Sequence, residues 1–225
     1  MQQAGSNTKQ ALLVIGANGG IGKATVIAAL EAGHYVTAVL RTPSKLAITH
    51  PSLRIVQGDI MQPGALDTYL SGIDVVVSAI GSSSFKKTVL YSQGSRHVID
   101  AMTKAGIKRA FFISASGLEV NPSHSLIVRL ATRFILQQLL RNMYADLWRM
   151  EHLIKASGID WTIVRPPRLV DKPATGNYRM AIDTFSDRGM VISRSDVAGF
   201  VIDNLSNPAI IKRTVEVYEG KGTAA

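Results

Sequence analysis

Apolar residues along this chain fall into short continuous runs, which alternate with longer stretches of helical spacing. Runs such as LLVI, VVVSAI and AFFISA are typical of strands that are buried on both faces of a parallel sheet. The pattern predicts strands at 11–16, 34–40, 53–58, 73–79, 109–115, 160–165 and 213–218. It predicts helices at 20–32, 62–70, 88–105, 132–157 and 195–206. This alternation favours an α/β fold, a doubly wound parallel sheet with helices on both faces.

A glycine-rich turn follows the first predicted strand and precedes a helix. Its residues are Gly16, Asn18, Gly19, Gly20, Ile21 and Gly22. In a Rossmann sheet such a turn bends sharply at its first glycine and lets phosphates approach the backbone at its second. Backbone N–H groups at the helix N-terminus then receive the pyrophosphate. The turn therefore predicts a dinucleotide site, with a purely structural glycine turn as the alternative.

The end of the second strand bears on which dinucleotide is bound. An Asp or Glu at this place accepts hydrogen bonds from the ribose hydroxyls of NAD. Here Arg41 and Thr42 occupy it. A guanidinium can bind a 2′-phosphate through paired hydrogen bonds, so the sequence predicts NADP(H). The alternative is that Arg41 is simply solvated beyond the strand.

Composition narrows the class of protein further. The 225 residues are 46% hydrophobic, enough for one full core, so residues 11–225 are expected to form one domain behind a flexible tail at 1–10. No cysteine is present, and no metal site is predicted. The net charge is +9, but the basic residues are scattered without a nucleic-acid motif. The expectation is a cytoplasmic protein that binds neither nucleic acid nor membrane, as a monomer or homodimer.

Several longer motifs identify a family resemblance between Ala11 and about Val217. They are GANGGIG, QGDI, VVVSAIGSSS, FFISASGL, WRMEHLIKASGIDWTIVRPPRL and ISRSDVAGFVIDNL. The chain resembles the atypical short-chain dehydrogenase/reductase group that includes NAD(P)H-binding NmrA-like proteins and the biliverdin-IXβ (flavin) reductases. The last two motifs are the more specific, because a generic dinucleotide fold does not require them.

The resemblance implies a set of cofactor contacts at the strand ends. Asp59 and Ile60 look like adenine contacts, and Ser116 resembles the serine beside the nicotinamide. The loop near the nicotinamide ribose and the segment over the carboxamide correspond to Ala79, Ile80, Gly81, Pro166 and Pro167. Ser114, at the end of the fifth strand, is counted among the cofactor contacts. For Asp59 the alternative is a turn or cap residue, and for Ser116 it is a turn hydroxyl.

The chain departs from typical short-chain dehydrogenases in its acid–base residues. Those enzymes carry Tyr-x-x-x-Lys, whose lysine depresses the tyrosine pKa. Here Trp148 stands four residues after Tyr144, and Lys155 lies about three helical turns away. Oxidation of simple alcohols and nucleotide-sugar epimerisation through that pair are therefore disfavoured. Ser116 and Tyr144 remain the catalytic candidates, and Asp146, Arg149, Glu151 and His152 are further groups placed near the pocket.

Hydride transfer to an electron-poor conjugated acceptor needs less from the protein than carbonyl reduction. The predicted pocket is built from 82–95, 117–145 and 166–194. Its candidate walls are Phe85, Tyr91, Leu126, Phe134 and Tyr144. Lys86 and Lys87 could attract a phosphate or propionate of an anionic small-molecule acceptor. Packing on the sheet or on a second subunit is expected of Leu130, Ile135 and Leu139.

Two functional hypotheses follow from the sequence. The first is an NADPH-dependent reductase for a flavin, quinone or tetrapyrrole-like acceptor. The second is a non-catalytic NADP(H)-binding redox sensor or regulator of the NmrA-like type. A reductase would oxidise NADPH in the presence of an acceptor, whereas a sensor would distinguish NADP⁺ from NADPH by affinity.

Overall fold

A computed structural model describes residues 8–82, 84–186 and 189–220. Its strands are β1 (Ala11–Ile15), β2 (Tyr35–Leu40), β3 (Leu53–Gln57), β4 (Val75–Ser78), β5 (Arg109–Ile113), β6 (Asp160–Arg165), β7 (Arg168–Val170), β8 (Tyr178–Ile182), β9 (Val191–Ser193) and β10 (Arg213–Glu219). Its α-helices are α1 (Gly20–Glu31), α2 (Leu90–Ala105), α3 (Leu126–Ala131), α4 (Gln137–Leu139), α5 (Arg141–Lys155) and α6 (Arg194–Asp203).

Eight strands form one sheet in the order β3-β2-β1-β4-β5-β6-β10-β8. All its neighbouring strands pair in parallel except β8, which runs antiparallel to β10. Strand order reverses between β1 and β4, the place where doubly wound sheets bind ligands beyond their strand ends. The expected fold, a doubly wound α/β sheet, is confirmed.

The two faces of the sheet carry separate hydrophobic layers. Leu12 and Val14 of β1 pack with α1 and α6 on one face. Leu13 and Ile15, which point the other way, pack with α2 and α5. Helices therefore cover both faces, which explains why the central strands are continuous apolar runs rather than alternating ones.

Two predicted helices were wrong in extent. The predicted helix 62–70 is a series of turns with one 3₁₀ helix at Asp67–Tyr69, since Gly64 adopts a left-handed φ of +77° directly after Pro63. The predicted helix 132–157 is interrupted at Leu140, whose φ of −100° and ψ of 13° lie outside the helical region. A π-helix covers Thr132–Leu136 before this interruption.

Two further comparisons with the sequence predictions concern the N-terminal tail and three short strands. Residues 1–7 of the predicted tail lie outside the described residues. Gln10 is held in place, because its N–H donates to Nδ1 of His34 and its carbonyl accepts from Tyr35. The sequence pattern missed β7, β8 and β9, which are three to five residues long.

Candidate functional site

The glycine turn lies between the ends of β1 and β4. Gly16 has a φ of +77°, and a Cβ at this position would collide with the carbonyl oxygen of Ala79. The amide of Ala79 in turn donates to the carbonyl of Ile15 at 3.0 Å. A side chain on Gly16 would therefore separate the two strand ends between which a ligand is expected.

Helix α1 begins directly after this turn with its N-terminal amides available. Gly19 donates to the carbonyl of Gly16 at 2.8 Å, and Lys23 to that of Gly19 at 2.7 Å. No side chain among the described residues caps this end, and its first turn carries no acidic residue. Asn18, Gly19 and Gly20 are exposed above the end of the helix, whereas Ile21 and Gly22 are buried within it. The other amides of the first helical turn have no partner within the helix, so the arrangement suits a pyrophosphate, which would accept from them.

A basic residue that the sequence analysis overlooked lies over this turn. The side chain of Arg194, at the start of α6, crosses Gly20 so closely that a Cβ there would collide with the arginine Cδ. The guanidinium pairs with Asp171 at 2.8 Å, and Asp171 is 87% exposed. This places a positive charge over the start of α1. The ISRSDVAG motif contains Arg194, but no residue of this motif indicates that the arginine side chain reaches the glycine turn.

Two neighbours of Arg194 in the ISRSDVAG motif, Ser193 and Asp196, hold the start of α6 in place. Ser193 caps α6 by accepting from the amide of Asp196 at 2.9 Å. The Asp196 carboxylate is buried and accepts from the amides of Thr175 and Gly176 at 2.7 and 2.9 Å. These bonds tie the loop before β8 to α6 and so orient Arg194.

At the ends of β2 and β3, the predicted adenine-side residues occupy different environments. Arg41 and Thr42 are exposed, and the guanidinium of Arg41 has no ion pair within the described ranges. Asp59 accepts from the amide of Met61 at 3.0 Å, the turn role considered as its alternative. Ile60 is buried. The exposed Arg41 leaves its positive charge accessible to a phosphate.

The predicted nicotinamide-side residues come together at the ends of β5 and β6. Ser116 donates its amide to the carbonyl of Pro166 at 3.0 Å. Ile80 is half-buried and Gly81 is exposed at the neighbouring end of β4. The geometry thus gathers most of the predicted contacts at one edge of the sheet, although their contact with a cofactor stays a prediction.

Tyr144 lies beside this cluster but is buried. Its hydroxyl lies against the backbone of Gly117, the residue that follows Ser116. Burial raises the pKa of Tyr144 to about 12. The tyrosine therefore stays protonated at neutral pH.

A buried ionic network holds the ends of β5 and β6 together. Ser114 donates its hydroxyl to Glu151 at 2.7 Å, and Arg165 forms a bidentate pair with Glu151 at 2.9 and 2.6 Å. Burial raises the pKa of Glu151, but the hydrogen bonds and charges of Arg165, Ser114 and Lys155 outweigh it and lower the pKa. The hydroxyl of Ser114 thus joins the end of β5 to α5, and its predicted contact with the cofactor stays a prediction.

Lys155 belongs to the same network and does not serve a tyrosine. Its Nζ lies 3.4 Å from the carboxylate of Glu151. This position agrees with the expectation that a Tyr–Lys acid–base pair is absent.

Asp146 and His152, two other polar residues proposed for α5, lie near α2. Asp146 accepts from the amide of Tyr91 at 2.9 Å and from Arg149 at 3.1 Å, so it caps the start of α2. His152 is exposed, with its ring 3.6 Å from that of Trp148. Arg149 and His152 line a groove of about 800 Å³ between α2 and α5. Ser92 and Gln93 of this groove belong to the predicted pocket segment 82–95, so the placement of these α5 residues near the pocket stays a prediction.

The predicted pocket walls divide into buried and exposed residues. Tyr91 is buried, and its hydroxyl accepts from the amide of Ser82 at 3.0 Å, so it anchors the loop after β4. Phe85, Leu126 and Phe134 are exposed. Exposed positions are also found for Lys86, Lys87, Leu130, Ile135 and Leu139. The packing expected of the last three is therefore not made within the described chain.

Within the described ranges, no group of three or more His, Asp or Glu residues could hold a metal ion. No described helix is long and apolar enough to cross a bilayer.

Comparison with known proteins decides the family. The sequence model of a family described as NAD(P)H-binding matches residues 16–208, which include the glycine turn and α6. The chain belongs to this NAD(P)H-binding family. Membership establishes a nicotinamide cofactor and confirms the predicted atypical short-chain dehydrogenase/reductase, NmrA-like group.

Relatives of this NAD(P)H-binding protein carry different names. The uncharacterized sugar epimerase YhfK of Bacillus subtilis is 30% identical, over 93% of this chain and 94% of the relative. Isoflavone reductase homolog A622 of Nicotiana glauca is 26% identical, over 94% of this chain and 69% of the relative. A solved Streptococcus pneumoniae protein, provisionally named an NADH-flavin reductase, is 25% identical with a TM-score of 0.76. The match covers 93% of this chain and 99% of that protein.

A further solved structure shares the fold. The short-chain dehydrogenase/reductase of Veillonella parvula in complex with NADP has a TM-score of 0.76 at 16% identity. It covers 94% of this chain and 95% of its own. At this identity the likeness supports the architecture alone.

Proposed function

We propose that the protein is an NADPH-dependent reductase that transfers hydride to a conjugated acceptor such as a flavin, a quinone or a tetrapyrrole. One observation carries the proposal. Ser116 and Pro166 meet at the sheet edge beyond the switch point, while the described part of the site has no tyrosine–lysine pair for carbonyl chemistry. Such a site can position an electron-poor acceptor but is poorly equipped to activate an alcohol.

The choice of NADPH over NADH rests on charge. Arg41 is exposed at the end of β2 and is not neutralised by a carboxylate in the described residues. The pyrophosphate would lie between the α1 amides and Arg194. NADH and NADPH both carry the pyrophosphate, so only Arg41, at the expected place of the 2′-phosphate, favours NADPH.

In the proposed reaction, NADPH, the acceptor and one proton give NADP⁺ and the reduced acceptor. The nicotinamide supplies the hydride when it is bound. The loop at Gly81 and the turn at Ser116 would hold the two rings in contact and limit water. The proton can come from solvent, since an acceptor that delocalises charge needs no strong acid beside it. Protonated Tyr144 lies next to Gly117 and is the one described phenol at this end of α5.

The test is NADPH oxidation, followed at the nicotinamide absorbance band, with FMN, FAD, riboflavin, biliverdin and several quinones. Turnover that depends on one acceptor class and falls in Ser116→Ala would support a reductase. Ser71→Ala, which removes an exposed hydroxyl far from this edge, is the matched control and should be unaffected. Absence of NADPH oxidation with every acceptor would count against the proposal.

A second candidate is a non-catalytic NADP(H) sensor. It is favoured by the engagement of Lys155 with Glu151 and by the burial of Tyr144. Calorimetric titration with NADP⁺ and with NADPH separates the candidates: a sensor would bind one form much more tightly and turn over neither. The same missing pair argues against the epimerisation that the name of the Bacillus relative suggests.

A further inference from the structure

Exposed hydrophobic side chains are concentrated in one place. Residues 126–139 run from α3 through the π-helix to α4, and are called the 126–139 surface here. Seven of the fourteen large hydrophobic residues exposed in the described chain belong to it: Leu126, Ile127, Leu130, Phe134, Ile135, Leu136 and Leu139. Ile127 is 80% exposed and Ile135 67%. A contiguous apolar patch of this kind marks an interaction site.

The charged side chains within this surface and directly after it are positive. Arg129 and Arg133 lie within it, and Arg141 follows it. The chain has no Asp or Glu from 120 to 145. A basic, aromatic loop adjoins the surface, because Asn142 donates to the carbonyl of Phe85 at 2.8 Å, next to Lys86 and Lys87. Phe85 itself is 61% exposed.

We propose that the 126–139 surface, together with Phe85, docks on an anionic lipid bilayer. A helical segment with large apolar side chains and flanking arginines lies in the interface plane of such a membrane. Its arginines would meet the negative lipid headgroups while its hydrophobic residues enter the acyl boundary. The charge and the exposed area are thus both accounted for by one occupant.

A second copy of the chain fits less well. A two-fold interface would bring this surface against itself, with arginines on both copies and no carboxylate from 120–145 to pair with them. Nucleic acid would match the charge but would leave the leucines, isoleucines and phenylalanine uncovered. The sequence predicted no membrane partner, because its basic residues are scattered and it has no membrane-spanning run. An apolar surface formed by folding cannot be recognised from those two criteria.

The surface also adjoins the candidate site. Gln137 donates its side-chain amide to the carbonyls of Gly117 and Leu118 at 3.2 and 3.3 Å. Docking would therefore bring the Ser116 edge close to the bilayer, where apolar acceptors dissolve. This consequence depends on the proposed reductase function, whereas docking does not.

The experiment is co-sedimentation of the full chain with vesicles, without cofactor. Vesicles of phosphatidylcholine alone are compared with vesicles that also contain phosphatidylglycerol, at low and high salt. We expect binding only to the anionic vesicles and a loss of binding in high salt. Equal binding to both vesicle types, or no binding to either, would overturn the proposal.

Two paired variants test the residues. Arg129→Gln with Arg133→Gln should weaken binding roughly 10- to 30-fold, since each basic residue contributes about five-fold near an anionic surface. Ile127→Ser with Phe134→Ser should weaken it at least about 10-fold through lost apolar insertion. The control pair is Lys108→Gln with Arg179→Gln, exposed basic residues elsewhere, and binding that falls equally there would overturn the assignment.

Light scattering over a range of concentrations completes the test. A dimer that is abolished by Ile127→Ser with Phe134→Ser, without vesicle binding by the parent, would assign the surface to a second copy and overturn the proposal. Circular dichroism of each variant confirms the fold independently of cofactor. NADPH oxidation with soluble acceptors, measured without vesicles, reports separately on the reductase function.

Discussion

Arg194 offers the sharpest test of the cofactor site, because its guanidinium has two alternative partners. In the described structure it pairs with Asp171, an exposed carboxylate 2.8 Å away. We predict that it leaves Asp171 for the pyrophosphate when the cofactor binds. A hydrogen bond to a charged group contributes about 1.5–3 kcal/mol. The surface pair that is given up contributes about 0–1 kcal/mol.

The difference between these values sets the expected effect of Arg194→Ala. A net loss of about 0.5–3 kcal/mol corresponds to a roughly 2- to 150-fold higher Kd for NADP(H). Isothermal titration with NADPH measures it directly. Asp171→Asn should act in the opposite direction, up to about 5-fold tighter, since it removes the competing carboxylate.

A double-mutant cycle tests whether Gly20 and Arg194 affect cofactor binding through their mutual contact. Gly20→Ala forces the Arg194 side chain aside, because the new methyl group would lie only 2.3 Å from the arginine Cδ. Its effect on the Kd should therefore largely disappear in the Arg194→Ala background. An unchanged Kd in Arg194→Ala, or a weaker Kd in Asp171→Asn, would refute the reasoning.

Three further predictions concern the other charged and titratable groups. Arg41→Ala should reduce the ratio of NADPH to NADH affinity about 10-fold or more by titration, and an unchanged ratio would remove Arg41 from the site. Glu151→Ala should lower the free energy of unfolding in urea by about 3 kcal/mol, because among the described residues Arg165 then keeps only Glu119 as an ion-pair partner. The folded pKa of Glu151 lies below 4.5, so its contribution is present above pH 4.5 and is lost as the pH falls further; Glu151→Gln should flatten that acid limb. With a pKa of about 12, Tyr144 should contribute no ionisation to the pH profile of kcat/KM below pH 10.0, and Tyr144→Phe should leave the shape of that profile unchanged.

Local signals were sufficient to predict the central sheet. The run at 11–16 gave β1 at Ala11–Ile15, because a strand buried on both faces needs apolar residues at every position. Elements governed by one backbone position were less predictable. A left-handed Gly64 prevented an α-helix at 62–70, and a non-helical Leu140 divided the helix predicted at 132–157.

In the candidate site, contacts within one continuous segment were predictable from sequence, whereas contacts between distant segments were not. The glycine turn is continuous in sequence, so its residues could be named from their spacing. Arg194 reaches Gly20 from a helix far along the chain, and no local spacing records that approach. The bond from Ser114 to Glu151 likewise joins elements 37 residues apart. Such pairs are set by which helices cover which face of the sheet.

The net charge of +9 takes on a specific meaning when its positions are known. Arg41 and Arg194 lie at the two predicted phosphate positions, whereas Arg129 and Arg133 lie on the 126–139 surface. If both assignments hold, salt should weaken cofactor binding and vesicle binding through different residues. The salt dependence of the Kd should become shallower in Arg194→Ala and stay unchanged in Arg129→Gln with Arg133→Gln. A uniformly solvated basic surface would instead make all these variants alike, so the comparison separates specific phosphate contacts from a general positive field.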